Sequence, residues 1–271
     1  MAYAPMYEMW RMEVQDVDKS AIFDVMLDLG HGEDFPVRDL PWFFGVRIPM
    51  AATAADGLPT EDEEVRLNTV ENRIREAARA REGVFVGRRQ GQSNRDLMFY
   101  FPVRPNGLDD RIRVSVGTEI LYISRNDAGW EGYKQMLPGP KGWRAIEDGR
   151  IIADLIAKGA DPIREHAIMH RVETPLQKGA DALKDFLEKH DLDDVAIVGA
   201  KPRLIVTGIQ RVPLDPLKIG EVSFKLEQTA PKARGKYLGW VADAVGANVE
   251  AADDLDDFDD LDDFDDDLEV S

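Results

Sequence analysis

The sequence predicts an α+β protein of two domains, the C-terminal one ferredoxin-like, followed by a disordered acidic tail. Three observations predict it. Residues 164–245 read strand, helix, strand, strand, helix, strand. The residues before them hold several β-rich runs around one long helical pattern. Residues 250–271 hold eleven Asp and two Glu with no Lys or Arg. The expected boundaries are an N-terminal domain at 1–138, a linker at 139–145, a ferredoxin-like domain at 146–248 and the tail at 249–271.

In chain order, Met9–Val14, Ala21–Leu29 and Trp42–Met50 read as strands, giving the N-terminal domain a mixed antiparallel sheet. Thr60 with Glu63 forms a capping box, and the acids at 61–63 suit a helix start. That helix runs to about Arg81, with Leu67, Val70, Ile74, Ala77 and Ala78 facing a core. Val84–Arg89 and Asp96–Val103 form a hairpin across Gln90–Asn94. Ile112–Ser124 is a further β-rich run, with Gly117 as a break or bulge. Asp127-x-x-Trp130-x-x-Tyr133 places two aromatic rings three residues apart on a helix face, with Asp127 as the cap.

Leu137–Trp143 holds two Pro and two Gly and reads as the linker, with Trp143 anchoring it. Ile146–Lys158 is then a helix that stops at Gly159. Glu165–Glu173 alternates as a strand, with His166, Ile168, His170 and Val172 on one side. Thr174 and Gln177 cap the next helix, with Pro175 at its first position and Leu176, Ala180, Leu183 and Leu187 in its stripe. Val195–Val198 and Arg203–Val212 form a hairpin across Gly199–Pro202. Asp215-Pro216 starts the second helix, with Ile219, Val222, Leu226, Ala230 and Ala233 in its stripe, and Pro231 shortens its last turn. Tyr237–Val245 returns as the final strand. This order is the split β-α-β arrangement, with right-handed crossovers and both helices on one face of a four-stranded antiparallel sheet.

Two stretches resemble known families. Residues from about 146 to 245, with Arg164, His170 and the closing Tyr237-x-Gly239-Trp240, resemble the RraB family, protein regulators of ribonuclease E activity. Lys236 and Leu238 stand where that family usually has a glycine and often has an aspartate. The resemblance implies a non-enzymatic protein that binds an RNA-degrading endonuclease and lowers its activity. Residues from about 7 to 138 resemble the domain of unknown function 695. The matching residues are Gly57-Leu58-Pro59, Glu63-Glu64, Glu71, Arg95, Phe99-Tyr100 and the Asp127, Trp130, Tyr133 triplet.

Net charge is −18 over 271 residues, and residues 250–271 account for −13 of it. The remaining body is near neutral, so direct nucleic-acid binding by the whole chain is disfavoured. Arg73, Arg75, Arg79, Arg81, Arg88 and Arg89 lie close in sequence and read as a solvated helix face, with RNA contact as the alternative. In the tail, Leu255, Phe258, Leu261 and Phe264 recur every three residues among acids that include Asp256, Asp257, Asp259 and Asp260. At 3.6 residues per turn that spacing winds round a helix and makes no single face. The tail therefore reads as a protein-binding segment suited to a basic surface, with a solubilising tail as the alternative. A calcium loop lacks the central Gly and the terminal Glu it requires.

The chain has no cysteine, which removes disulfides and thiolate chemistry and fits a reducing cytoplasm. No signal peptide, membrane span, phosphate loop or dinucleotide fingerprint is read. His166 and His170 on one strand face lie about 13 Å apart, too far to share a metal. The expectation is a cytoplasmic, non-enzymatic protein without cofactor or metal. Two other readings stand beside it: a hydrolase or nuclease using carboxylates and His170 at an open sheet face, and a general adaptor acting through the tail.

Overall fold

The computed structural model describes residues 5–16, 19–31 and 35–242. The fold is α+β, with two antiparallel sheets and two compact units. The first unit holds the residues up to Ala153 together with Pro216–Lys225, and the second holds Asp154–Asp215 with the residues from Leu226 on.

The first unit is built on a six-stranded sheet of β1 (Tyr7–Asp16), β2 (Lys19–Asp28), β3 (Trp42–Pro49), β4 (Val84–Gly91), β5 (Asn94–Phe101) and β6 (Leu121–Asn126). The strand order is β1-β2-β4-β5-β3-β6. Helix α1 (Glu61–Arg79) covers one face. Its Leu67 and Ile74 are fully buried among Val46, Leu97 and Phe99, and burying each such side chain is worth about 1.5–3 kcal/mol. The other face carries a second core built on Trp10, Val25, Tyr100, Trp130 and Tyr133.

Three expectations for this unit are corrected. Thr60 precedes α1 but makes no side-chain cap bond. Glu63 is drawn away, accepting from the Ala51 N–H at 2.9 Å and from Arg66. Of the run expected as β-rich over Ile112–Ser124, residues 112–116 belong to helix α2 (Leu108–Val116), while residues 121–124 fall in β6. Leu108, Ile112 and Val116 recur every four residues and are all buried, while Val114 is 87 % exposed. The alternation of Ile112, Val114 and Val116 imitates a strand, and Gly117 at φ 63° ends the helix. The helix expected from Ile146 begins earlier, as α4 (Pro140–Ala157), at Pro140, whose fixed φ suits a first helical position. Gly142 lets that turn approach Trp10, and Trp143 is half exposed. Between these two helices lies the short α3 (Glu131–Lys134).

The second unit is the ferredoxin-like one. The chain there runs β7 (His166–Thr174), α5 (Gln177–Lys189), β8 (Asp193–Ala200), β9 (Arg203–Val212), α6 (Pro216–Thr229), of which only the part from Leu226 belongs to this unit, and β10 (Lys236–Val241). All pairings are antiparallel in the order β10-β7-β9-β8. Buried and half-buried residues alternate strictly along β7. Ala180, Leu183 and Leu187 of α5 are fully buried, whereas Leu176, expected in the same stripe, is exposed. Helix α5 starts at Gln177, so Pro175 lies before its first turn. Thr174 is not the cap, since that position falls at Leu176; its hydroxyl donates to the Ala233 carbonyl at 2.9 Å and accepts from the Leu176 N–H at 3.4 Å. Pro231 turns the end of α6 into a 3-10 turn, Ala230–Ala233. The acidic repeat, with Leu255, Phe258, Leu261 and Phe264, lies outside the described residues.

Candidate functional sites

The Tyr237-x-Gly239-Trp240 motif explains itself on β10. In a regular strand, residues three apart point to opposite faces. Here the register shifts between Tyr237, opposite Val172, and Gly239, opposite Arg171, so that Trp240 falls opposite His170. Gly239 takes φ 93°, a conformation open to glycine, and forms a bulge. The extra residue brings Tyr237 and Trp240 onto the same side as Val172 and His170. The Tyr237 hydroxyl lies 2.8 Å from His170 Nδ1, and Gln210 Oε1 lies 3.0 Å from Nε2. Gln210 Oε1 takes a donor at Nε2, and the Tyr237 hydroxyl can donate to Nδ1.

His170, Tyr237, Gly239 and Trp240 are therefore one constellation, and Arg164 is not part of it. Arg164 is 82 % exposed and pairs with Asp161 at 3.2 Å. His170 is fully buried on the same side as Ile168 and Val172, not at an open sheet face. His166 Nε2 meets the Asp161 carbonyl at 2.8 Å. Among the described residues no group of three His, Cys, Asp or Glu is placed to hold a metal ion.

In the first unit, Asp127, Trp130 and Tyr133 converge as expected, but inside the core. Trp130 and Tyr133 are almost wholly buried, with ring centroids 5.4 Å apart. Asp127 accepts from the backbone N–H groups of Glu131 and Gly132, each at 2.9 Å, and from the Tyr100 hydroxyl at 2.7 Å. Burial works against its ionisation, but those hydrogen bonds win and hold its carboxyl below the usual range. Tyr100 stacks on Trp130 at 4.1 Å, and burial pushes its phenol well up. Desolvation, aided by Asp28, pushes the Tyr133 phenol up to about 12.

Arg95 is also wholly buried. It reaches Glu64 at 2.7 Å, Glu71 at 3.2 Å and Gln90 Oε1 at 2.5 Å, tying α1 to the β4–β5 hairpin. The other arginines near it in sequence are dispersed. Arg88 pairs with Glu71, Arg89 with Asp96, and Arg73 and Arg81 donate to backbone carbonyls.

A feature with no counterpart in the sequence pattern is a half-open groove of about 510 Å³ beside β6, on the sheet face opposite α1. Its walls are β6 and the segment from Gly132 to Met136, and its floor is Gly45 and Met98. Arg47 and Arg89 both pair with Asp96 at its end. Its residues come from five separate segments and carry no spacing signature.

Residues 8–138 match the model of a family described as "Family of unknown function (DUF695)". No curated protein matches the chain. Among the described residues no helix is long and apolar enough to cross a membrane.

Proposed function

We propose that this chain is a non-enzymatic regulatory protein that binds a ribonuclease E-type endoribonuclease, or its degrading assembly, and lowers RNA cleavage. The observation that carries the reading is the joining of His170, Tyr237 and Trp240 across β7 and β10. Those residues carry the resemblance to the RraB regulators, and a glycine bulge gives their spacing a structural reason. The ferredoxin-like order of the second unit agrees with it. Because the constellation is buried, it supports the scaffold, and recognition falls to exposed residues. Val198, Leu238 and Val241 are exposed apolar side chains on the outer strands β8 and β10. The acidic segment, with Asp256, Asp257, Asp259 and Asp260 around Leu255 and Phe258, adds a second contact suited to a basic surface. The protein acts in the cytoplasm, beside its target.

The test is an RNA cleavage assay with a purified ribonuclease E-type enzyme and increasing full-length chain. Saturable inhibition without any cleavage by the chain alone is the expected result. Cleavage unchanged at saturating chain refutes the reading.

A further inference from the structure

We propose that the groove beside β6 binds a small organic oxyanion, a carboxylate or phosphate carried on a flat apolar body. Its charge is the first reason. Three arginines, Arg47, Arg89 and Arg125, line it against one carboxylate, Asp96. Asp96 is already held by two of them. Burial opposes its ionisation, but the bonds from Arg47 and Arg89 keep it ionised below the usual range. Arg125 makes no ion pair among the described residues. It feels the Asp127 charge, but the Asp127 oxygens are occupied by Tyr100 and two backbone N–H groups. The planar Arg125 guanidinium lies 5.0 Å from the centroid of Phe43 and keeps its donors for an incoming oxyanion.

Shape is the second reason. Gly45 lets apolar groups close over the floor, because an added Cβ would lie 3.1 Å from Ile123 Cγ2 and from the Phe43 ring. The β6 side chains Leu121 and Ile123 on this face are exposed, whereas the Tyr122 ring stacks with Phe44 on the other face. Stacking on apolar walls stabilises a flat body, and the volume falls within the range of small-ligand sites. A macromolecular polyanion would use the arginines but not the apolar surface of Leu121 and Ile123 beside them, so the small anion is the better match. This site is separate from the second unit's constellation and does not rest on the ribonuclease reading.

The experiment is a calorimetric titration of the full-length chain with 2-naphthoate, 1-naphthyl phosphate, the neutral 2-naphthamide and a twelve-residue poly-aspartate peptide. The proposal expects both aryl anions to bind and the amide to bind at least about tenfold more weakly. Arg125→Glu, a surface change, should weaken the anions at least about tenfold with an unaltered melting temperature, and Gly45→Val should weaken them by displacing Ile123 and Phe43. Arg79→Glu, an exposed change on α1, should leave binding as it is. Failure of both aryl anions to bind, equal binding of the amide, indifference to Arg125→Glu, or binding of the peptide alone would each overturn the proposal. If Gly45→Val does not fold, Arg125→Glu and the amide comparison still decide.

Discussion

The Tyr237 hydroxyl meets His170 Nδ1 at 2.8 Å, joining the last described strand of the chain to the first strand of the same sheet. The pair is held on one side by Gln210 and on the other by the Gly239 bulge that turns Tyr237 inward. Its burial makes it a contributor to the stability of the fold. Tyr237→Phe should leave a buried imidazole nitrogen without its donor and lower unfolding stability by about 1–3 kcal/mol. Urea unfolding followed by tryptophan fluorescence measures this, and an unchanged midpoint would contradict it.

Gly239→Ala tests the bulge itself. With φ at 93°, a Cβ is strained whatever the space, and no neighbour lies within 4 Å of it. The loss is therefore conformational, about 1–2 kcal/mol. A loss of that size in the same urea titration, with Tyr237→Phe adding less than its full cost on top, would show that bulge and hydrogen bond act together.

Asp127 predicts a pH dependence. Its folded-state pKa is lowered, so its contribution is present above the unfolded value of about 3.9 and is lost as pH falls through the folded value. Asp127→Asn should cost about 1–3 kcal/mol at pH 7. The gap between wild type and variant should narrow once pH drops below about 4. Thermal unfolding across pH 2–7 gives both results, and a gap independent of pH would refute the assignment.

Arg95→Met should cost about 3–5 kcal/mol, because it strips Glu71 and Glu64 of a buried partner. Arg88 and Arg75 still reach Glu71, which favours the lower end. Adding Glu71→Gln should cost less than the two single losses combined, since the substitution removes the stranded charge. A double variant as unstable as their sum would contradict the network.

Much of this architecture is legible in the amino-acid sequence. The second unit's order of elements follows from period and punctuation, because each element there carries its own stripe and its own Gly or Pro. The β4–β5 hairpin is legible for the same reason, although its turn is tighter than expected, with only Gln92 and Ser93, both at positive φ, between the strands. Helix α2 is hidden because apolar residues at both two- and four-residue spacing fit two periods, and only burial decides between them. The start of α4 is hidden because Pro140 and Gly142 look like breakers where they are a first-turn residue and a close approach. His170 falls on the expected strand with the expected alternation, but which face α5 covers depends on pairing that the sequence alone does not state. The groove is out of reach, since Gly45, Asp96 and Arg125 meet only through sheet register.

The most direct test of the central claim is a pull-down by a purified ribonuclease E-type endonuclease, comparing the full chain with one ended at Asn248. The account predicts that both are captured, the shorter one more weakly. Capture of neither would contradict it.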